Sequence, residues 1–293
     1  MVTTGTFDGV HIGHQKIIND LKARAAQAGG ETVLLTFFPH PRMVLHPNDH
    51  GLQLLSTQQE KIDLLERAGI NHLIVHPFTR DFSRITSVEY VRDILVNNLG
   101  TKELVIGYDH HFGRNREGNF EHLVELSPLY GFEVREIPAQ DIDDVNVSST
   151  KIRNALLEGD VATANRYLGY EYPLSGLVAK GAGIGRTLGF PTANVNVPDT
   201  EKLIPANGVY AVEVSIDGTI FGGMLNIGVR PTVDDNNKRS IEVHVLNFEG
   251  TLYGKRLNMR IQHRLRNEQK FPSLDALKDQ LHLDRERTIE LLS

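Results

Sequence analysis

The period of hydrophobicity along the chain changes near residue 170. Before that point, short apolar runs alternate with stretches in which apolar residues recur every three or four positions; beyond it, apolar and polar residues alternate one by one. In the first part, Val2 to Thr6, Thr32 to Phe37, Leu73 to His76, Leu104 to Ile106 and Phe132 to Ile137 read as buried strands. Between them, Gly13 to Ala28, Thr57 to Ala68, Val88 to Leu99 and Ser149 to Leu157 read as helices. This alternation predicts an α/β fold with a doubly wound parallel sheet, whose ligands sit at the carboxyl ends of the strands. In the second part, Gly208 to Ile216 and Thr219 to Ile227 flank Asp217-Gly218 and predict a hairpin, and Ile241 to Leu246 and Arg256 to Leu265 continue the strand pattern. A small antiparallel β-barrel is expected, with terminal helices over Ser273 to Leu292 packed on it through Leu274, Leu277, Leu281, Ile289 and Leu292. The expected domains are 1–170 and 171–293.

Composition narrows the classes. A chain of 293 residues is long enough for two cores. It has no stretch approaching roughly 18 apolar residues and no basic-then-apolar start, so neither a membrane nor secretion is expected. With no cysteine there is no disulfide framework, which suits a cytoplasmic location. Residues 1–172 carry 16 Lys+Arg against 23 Asp+Glu (net −7), and residues 173–293 carry 15 against 14 (net +1). Neither half has the clustered cationic surface of a nucleic-acid binder. The four arginines between 256 and 266 interleave with Leu257, Met259, Ile261 and Leu265, which predicts a solvated strand face.

The most informative segment is Gly5-Thr-Phe-Asp-Gly-Val-His-Ile-Gly-His14. A strand, a glycine turn and a helix mouth put His11 and His14 on one side of the first helical turn. The N–H groups there are unpaired and partly positive, so a phosphate can sit there with imidazole donors on either side. A zinc pair is the bland alternative, but no Cys and no third ligand at metal-site spacing lies nearby. A second segment, Val147-Ser-Ser-Thr-Lys-Ile-Arg153, offers the hydroxyls of Ser148, Ser149 and Thr150 at a helix start and a guanidinium one turn along, again suited to phosphate.

The barrel half carries its own chemistry. Lys180-Gly-Ala-Gly-Ile-Gly-Arg-Thr-Leu-Gly-Phe-Pro-Thr-Ala-Asn194 is a glycine-rich loop that matches neither a Walker loop nor a dinucleotide fingerprint. In Ser240-Ile-Glu-Val-His-Val-Leu246, Ile241, Val243 and Val245 share one face of a strand, and Glu242 and His244 share the other. A carboxylate on a rigid strand can accept the proton of an attacking hydroxyl.

His-x-Gly-His in this setting resembles the nucleotidyltransferase superfamily, and Ser-Ser-Thr-x-Ile-Arg resembles the second signature of flavin adenylyltransferases. Gly-Phe-Pro-Thr-Ala-Asn at 189–194 resembles the signature of riboflavin kinases. Over almost its whole length the chain resembles the bacterial bifunctional riboflavin kinase/FAD synthetases. The resemblance implies an N-terminal nucleotidyltransferase domain that adenylylates FMN to FAD with release of pyrophosphate, and a C-terminal barrel that phosphorylates riboflavin to FMN. ATP, riboflavin and FMN are the partners implied. His11, His14 and Arg153 would act on the adenylyl group, with Gly5, Phe7, Asp8, Gly9, His40, Asp109, Ser148, Ser149 and Thr150 binding nucleotide or flavin. In the kinase, Glu242 would be the catalytic base, and Thr192 and Asn194 would hold Mg2+. Lys180, Gly181, Gly183, Gly185, Arg186, Phe190, Pro191 and Arg230 would line the nucleotide or flavin site, Arg230 within a further matching stretch, Asn226 to Thr232.

Some positions depart from the family pattern. Phe38 stands where the family has Asp or Glu before Pro-His-Pro, and His110 stands where it has Phe, which alters side-chain detail in the flavin and adenine pockets. The family has a lead-in before the first strand, whereas here the strand begins at Val2: either the chain is naturally short or its given start is misplaced, and a truly missing lead-in would weaken the synthetase without touching the kinase. Two other readings stay open: a different nucleotidyltransferase fused to a barrel, and a non-catalytic flavin-binding module. The lack of Lys-Met-Ser-Lys-Ser weighs against a tRNA-charging enzyme, and the intact motif residues weigh against a degenerate module.

Overall fold

The computed structural model describes residues 1–48, 51–108, 110–138, 147–180, 184–229 and 239–293, with backbone alone at 184 and 186. These form two compact units, Met1–Ser149 and Thr150–Ser293. In the first, β1 (Val2–Thr4), β2 (Val33–Phe38), β3 (His72–Pro77), β4 (Glu103–Gly107) and β5 (Glu133–Ile137) form a parallel sheet in the order β3-β2-β1-β4-β5. The order reverses at β1, which makes the carboxyl end of β1 the place where such sheets hold ligands. Leu104 and Ile106 bury one face of β4 against Val91, Leu95 and Leu123, while Val105 buries the other against Leu21. Both faces are covered, which is why these strands read as continuous apolar runs.

The helices of this unit are α1 (Ile12–Gln27), α2 (Pro41–Leu45), α3 (Gln58–Arg67), α4 (Ser87–Glu89) and α5 (Phe120–Tyr130). Thr57 and Glu60 close a reciprocal capping box at the start of α3, with bonds of 3.1 and 2.9 Å. The helix expected over Val88 to Leu99 begins as α4 and continues with π-helical bonding through Tyr90–Asn98. Helix α5, absent from the sequence reading because Pro128 interrupts its period, starts on an Asn119 cap and stops at Gly131, whose φ of 71° glycine adopts without strain.

In the second unit, β6 (Tyr172–Ala179), β7 (Ala193–Asn196), β8 (Gly208–Ile216), β9 (Thr219–Val229), β10 (Arg239–Val245) and β11 (Arg256–Arg266) close an antiparallel barrel in the order β10-β7-β6-β11-β8-β9. The expected hairpin turns on Asp217 and Gly218, both at positive φ (49° and 85°), as a primed turn requires. Helices α6 (Ser149–Glu158) and α7 (Val161–Leu168) pack with the barrel: Asn165 donates to the Ile261 carbonyl (2.9 Å), and the Leu156 carbonyl accepts from Ala206 N (2.9 Å). Contact density therefore divides the chain at Ser149, ahead of the change of period near 170. A short helix, α8 (Ile184–Thr187), precedes β7.

Two surface expectations need correction. The tail is a single helix, α9 (Leu274–Leu292), in which Leu277, Leu281 and Leu292 are half-buried as expected beside buried Asp284 and Thr288, while Leu274 and Ile289 are 64% and 44% exposed. Buried Asp284 accepts two guanidinium bonds from Arg266 at 2.8 and 3.0 Å, an ionic anchor that the search for an apolar stripe overlooks. The arginines of β11 are correspondingly not all solvated. Arg266 makes that anchor, and Arg264 donates to the carbonyls of Glu158 and Asn207. Leu257, Met259 and Ile261 do fill the barrel interior.

Candidate functional site

In the first unit the loop from β1 to α1 is a strained backbone held from below. Phe7 and Val10 take positive φ (48° and 35°) although both are bulky and buried, and Val10 is β-branched. A Cβ at Gly5 would stand 3.0 Å from the Phe7 ring, a tight contact that glycine avoids. The Asp8 carboxylate, 5% exposed, accepts from Leu55 N (3.1 Å), Ser56 N (3.1 Å) and Ser56 Oγ (3.3 Å), and Ser56 Oγ accepts from Gly9 N (3.1 Å). Asp8 thus clamps the loop to the entry of α3.

His11 is the N-cap of α1 and makes no side-chain capping bond. The His11 and His14 rings stack face to face, centroids 3.7 Å apart, and Phe7 lies 4.8 Å from His14. They form one aromatic wall at the helix mouth and do not flank it from two sides. Burial, then the neighbouring His11 and Lys61, hold the His14 pKa well below the ordinary imidazole value. A neutral ring carries one N–H donor and one acceptor. The second motif reaches this loop: Ser149 Oγ donates to the Asp8 carbonyl at 3.2 Å, across 141 residues of sequence. Thr150 and Arg153 follow Ser149 on the first turns of α6.

The remaining first-unit candidates divide. His40 caps α2, its Nδ1 accepting from Arg42 N at 3.2 Å. Phe38 is 47% exposed. His110 stacks on Phe112, centroids 5.9 Å apart, and burial pushes its pKa down to about 4, so near neutral pH it is an uncharged flat ring. Asp109 lies outside the described residues, as do Gly181, Gly183, Arg230 and the side chain of Arg186.

In the barrel, Thr192 Oγ1 donates to Glu242 Oε2 at 3.1 Å. Strand register sets Asn194 directly opposite Glu242, and Asn226 opposite Glu242 on its other side, so three polar side chains cross β7, β10 and β9 in one row. Ile241, Val243 and Val245 are buried on the reverse face, as the alternation predicts. Beside the row, His244 Nδ1 lies 2.8 Å from the Pro191 carbonyl, and buried Phe190 packs edge-on to His244. The glycine loop closes over the same segment. Phe190 N donates to the Gly185 carbonyl (2.8 Å), and a Cβ at Gly185 would meet the Phe190 carbonyl at 2.3 Å. Lys180 is exposed just past the end of β6.

Comparison with known proteins decides between the open readings. The FAD synthetase family model matches residues 1–151, and the riboflavin kinase family model matches residues 168–292. A bifunctional riboflavin kinase/FMN adenylyltransferase of Pseudomonas fluorescens is 39% identical over 284 residues, covering 97% of this chain and 90% of that one. Its counterpart in Escherichia coli K12 is 36% identical, covering the same shares. The chain belongs to the bifunctional riboflavin kinase/FMN adenylyltransferase family. A crystal structure named as a macrolide-efflux protein of Streptococcus pneumoniae also matches, with a TM-score of 0.89 at 32% identity over 98% of this chain and 93% of that one. Among the described residues, no helix of the present chain is long and apolar enough to cross a membrane.

Against this family background, residues absent from the sequence reading stand out. Ser56 ties Asp8 to Gly9. Lys61 is 8% exposed yet lies on the buried face of α3 with Leu64 and Leu65. A lysine three and four positions before two leucines on an otherwise amphipathic helix was the available signal.

Proposed function

We propose that the chain phosphorylates riboflavin to FMN in its C-terminal unit and adenylylates FMN to FAD in its N-terminal one, with ATP as donor in both steps. The observation that carries the reading is the Thr192–Glu242 hydrogen bond, which joins the kinase-signature loop to a strand carboxylate 50 residues away. In the kinase step the primary hydroxyl of riboflavin attacks the γ-phosphorus of ATP, its proton passes to Glu242, and ADP leaves. Thr192 and Asn194 offer neutral oxygens, a donor set that fits Mg2+, which takes its charge balance from ATP phosphates and keeps waters. When bound, Mg2+ would neutralise charge on the transferring phosphate.

In the adenylyl step an FMN phosphate oxygen attacks the α-phosphorus of ATP and pyrophosphate leaves. The nucleophile is already anionic, so the site needs donors and cations and no base. His11 and His14 at the α1 terminus supply N–H donors, and Arg153 supplies the cation. Riboflavin, FMN and ATP are the small-molecule partners of this reading. Incubation with riboflavin, ATP and Mg2+ should yield FMN with ADP, then FAD with pyrophosphate. FMN without FAD would remove the N-terminal assignment, and no FMN from riboflavin would remove the other.

A further inference from the structure

Lys61 is a buried cation that the mechanism above does not use. Its Nζ lies 3.2 Å from the Thr6 carbonyl, 3.2 Å from Thr36 Oγ1 and 3.5 Å from the Phe37 carbonyl. Thr36 Oγ1 also donates to the Thr6 carbonyl at 3.1 Å, so one ammonium and one hydroxyl together bridge the segment after β1 to the end of β2. Thr6 precedes the strained Phe7 turn that leads to His11, and Lys61 rides on the helix whose entry Asp8 clamps. A leucine or methionine would satisfy the burial of this helix face, so the charge needs a reason of its own.

We propose that Lys61 is a positioning residue for adenylyl transfer: its ammonium ties together the carboxyl ends of β1 and β2 and sets a fixed positive charge behind the His11–His14 pair. The inference rests on the adenylyl-transfer reading of that pair. Three groups face the ammonium electrostatically: Asp8 on the loop, which favours its charged form, and His14 with the adjoining His11 on α1. Burial brings the Lys61 pKa down to about 8, so at neutral pH the group is still mostly charged. Its field opposes protonation of His14, which keeps that imidazole in its single-donor form. The positive potential at the helix mouth then comes from a residue that never leaves it, and the polyphosphate of ATP feels the field of a buried cation whose position is fixed by three oxygen acceptors.

The test uses the full chain with 15N-labelled histidine, with His14 assigned by its loss in His14→Ala. Lys61→Met keeps the stem and removes the charge; Lys61→Arg keeps the charge and alters the packing. In the parent, His14 should stay neutral well below pH 6.5. In Lys61→Met its titration should move up by on the order of one pH unit, and kcat for FAD formation should fall about tenfold or more while riboflavin phosphorylation holds. Lys61→Arg should leave the His14 titration low. An ordinary His14 titration in the parent overturns the proposal even if the Met variant does not fold, as does a Lys61→Met chain with unchanged titration or unchanged FAD formation. The two levels of inference separate cleanly: FAD formation surviving His14→Ala defeats the adenylyl reading, whereas loss in His14→Ala with a normal Lys61→Met defeats only the role of Lys61.

Discussion

Asp8→Asn separates a substrate-binding carboxylate from a scaffolding one. The sequence places Asp8 among ligand-binding residues, yet both of its oxygens are engaged by Leu55 N, Ser56 N and Ser56 Oγ at 3.1 to 3.3 Å, and it is 5% exposed. A hydrogen bond to a charged acceptor contributes about 1.5–3 kcal/mol, and an orphaned buried donor costs about 1–3 kcal/mol. Asparagine keeps one acceptor and turns an NH2 toward a backbone N–H, so one of the two backbone bonds is lost and a donor faces a donor. The expected cost is about 2–4 kcal/mol, equivalent to a fall of roughly 5–15 °C in the midpoint of a unit this size. Scanning calorimetry of the full chain, together with FAD-forming activity remaining after graded heating, reads this directly. At temperatures where the variant is folded, the KM values for FMN and ATP should stay near the parent's. An unchanged midpoint with a KM raised tenfold would refute the scaffold argument and return the carboxylate to the substrate.

Four further substitutions test the proposed roles. His14→Ala should lower FAD formation from FMN by about 10²-fold or more, since it removes a donor aimed at the transferring phosphate; rates of FMN formation from riboflavin should be unaffected. Thr192→Ala and Asn194→Ala should each raise the Mg2+ concentration needed for half-maximal kinase rate, because each deletes an oxygen ligand, and superimposable titrations would leave both residues as barrel packing. Glu242→Gln should reduce FMN formation by about 10²- to 10⁴-fold while supplied FMN is still converted to FAD, a separation that end-point chromatography of both products resolves.

Most of the architecture was written in periodicity, and the exceptions share a cause. Buried strands such as Leu104 to Ile106 and the 208–227 hairpin announce themselves because burial and turn chemistry act locally. Helix α5 did not, since Pro128 breaks its pattern, and the apolar stripe of α9 pointed to Leu277, Leu281 and Leu292 but not to the Asp284–Arg266 ion pair set within it. The candidate sites followed the same division. His11, His14, Thr192 and Glu242 sit in local motifs, whereas Ser56, Lys61 and Asn226 earn their places only through partners on other elements. Sequence also could not tell that Asp8 faces backbone donors, because nothing in Thr-Phe-Asp-Gly specifies what packs beneath it. His110 was legible as a departure from the family, but its low pKa depends on burial. An uncharged imidazole against Phe112 preserves the flat aromatic surface that phenylalanine would provide.

The placement of carboxylates in the two units follows from the nucleophiles they would serve. A phosphate monoester has its second pKa near 6, so FMN arrives with its attacking oxygen already deprotonated, and a free carboxylate beside it would only repel it. The Asp8 carboxylate accordingly accepts from two N–H donors and one O–H donor on the entry of α3, while two stacked imidazoles stand at the helix mouth. A primary hydroxyl arrives protonated, and under the proposed assignment the carboxylate would be kept at the reacting face: Glu242 stands on the side of β10 opposite the buried Ile241, Val243 and Val245, accepts from the Thr192 hydroxyl and is set between Asn194 and Asn226. On this proposal one chain would hide an acid where its substrate is an anion and present one where its substrate is an alcohol. That contrast is why loss of the Glu242 charge should silence one product and spare the other.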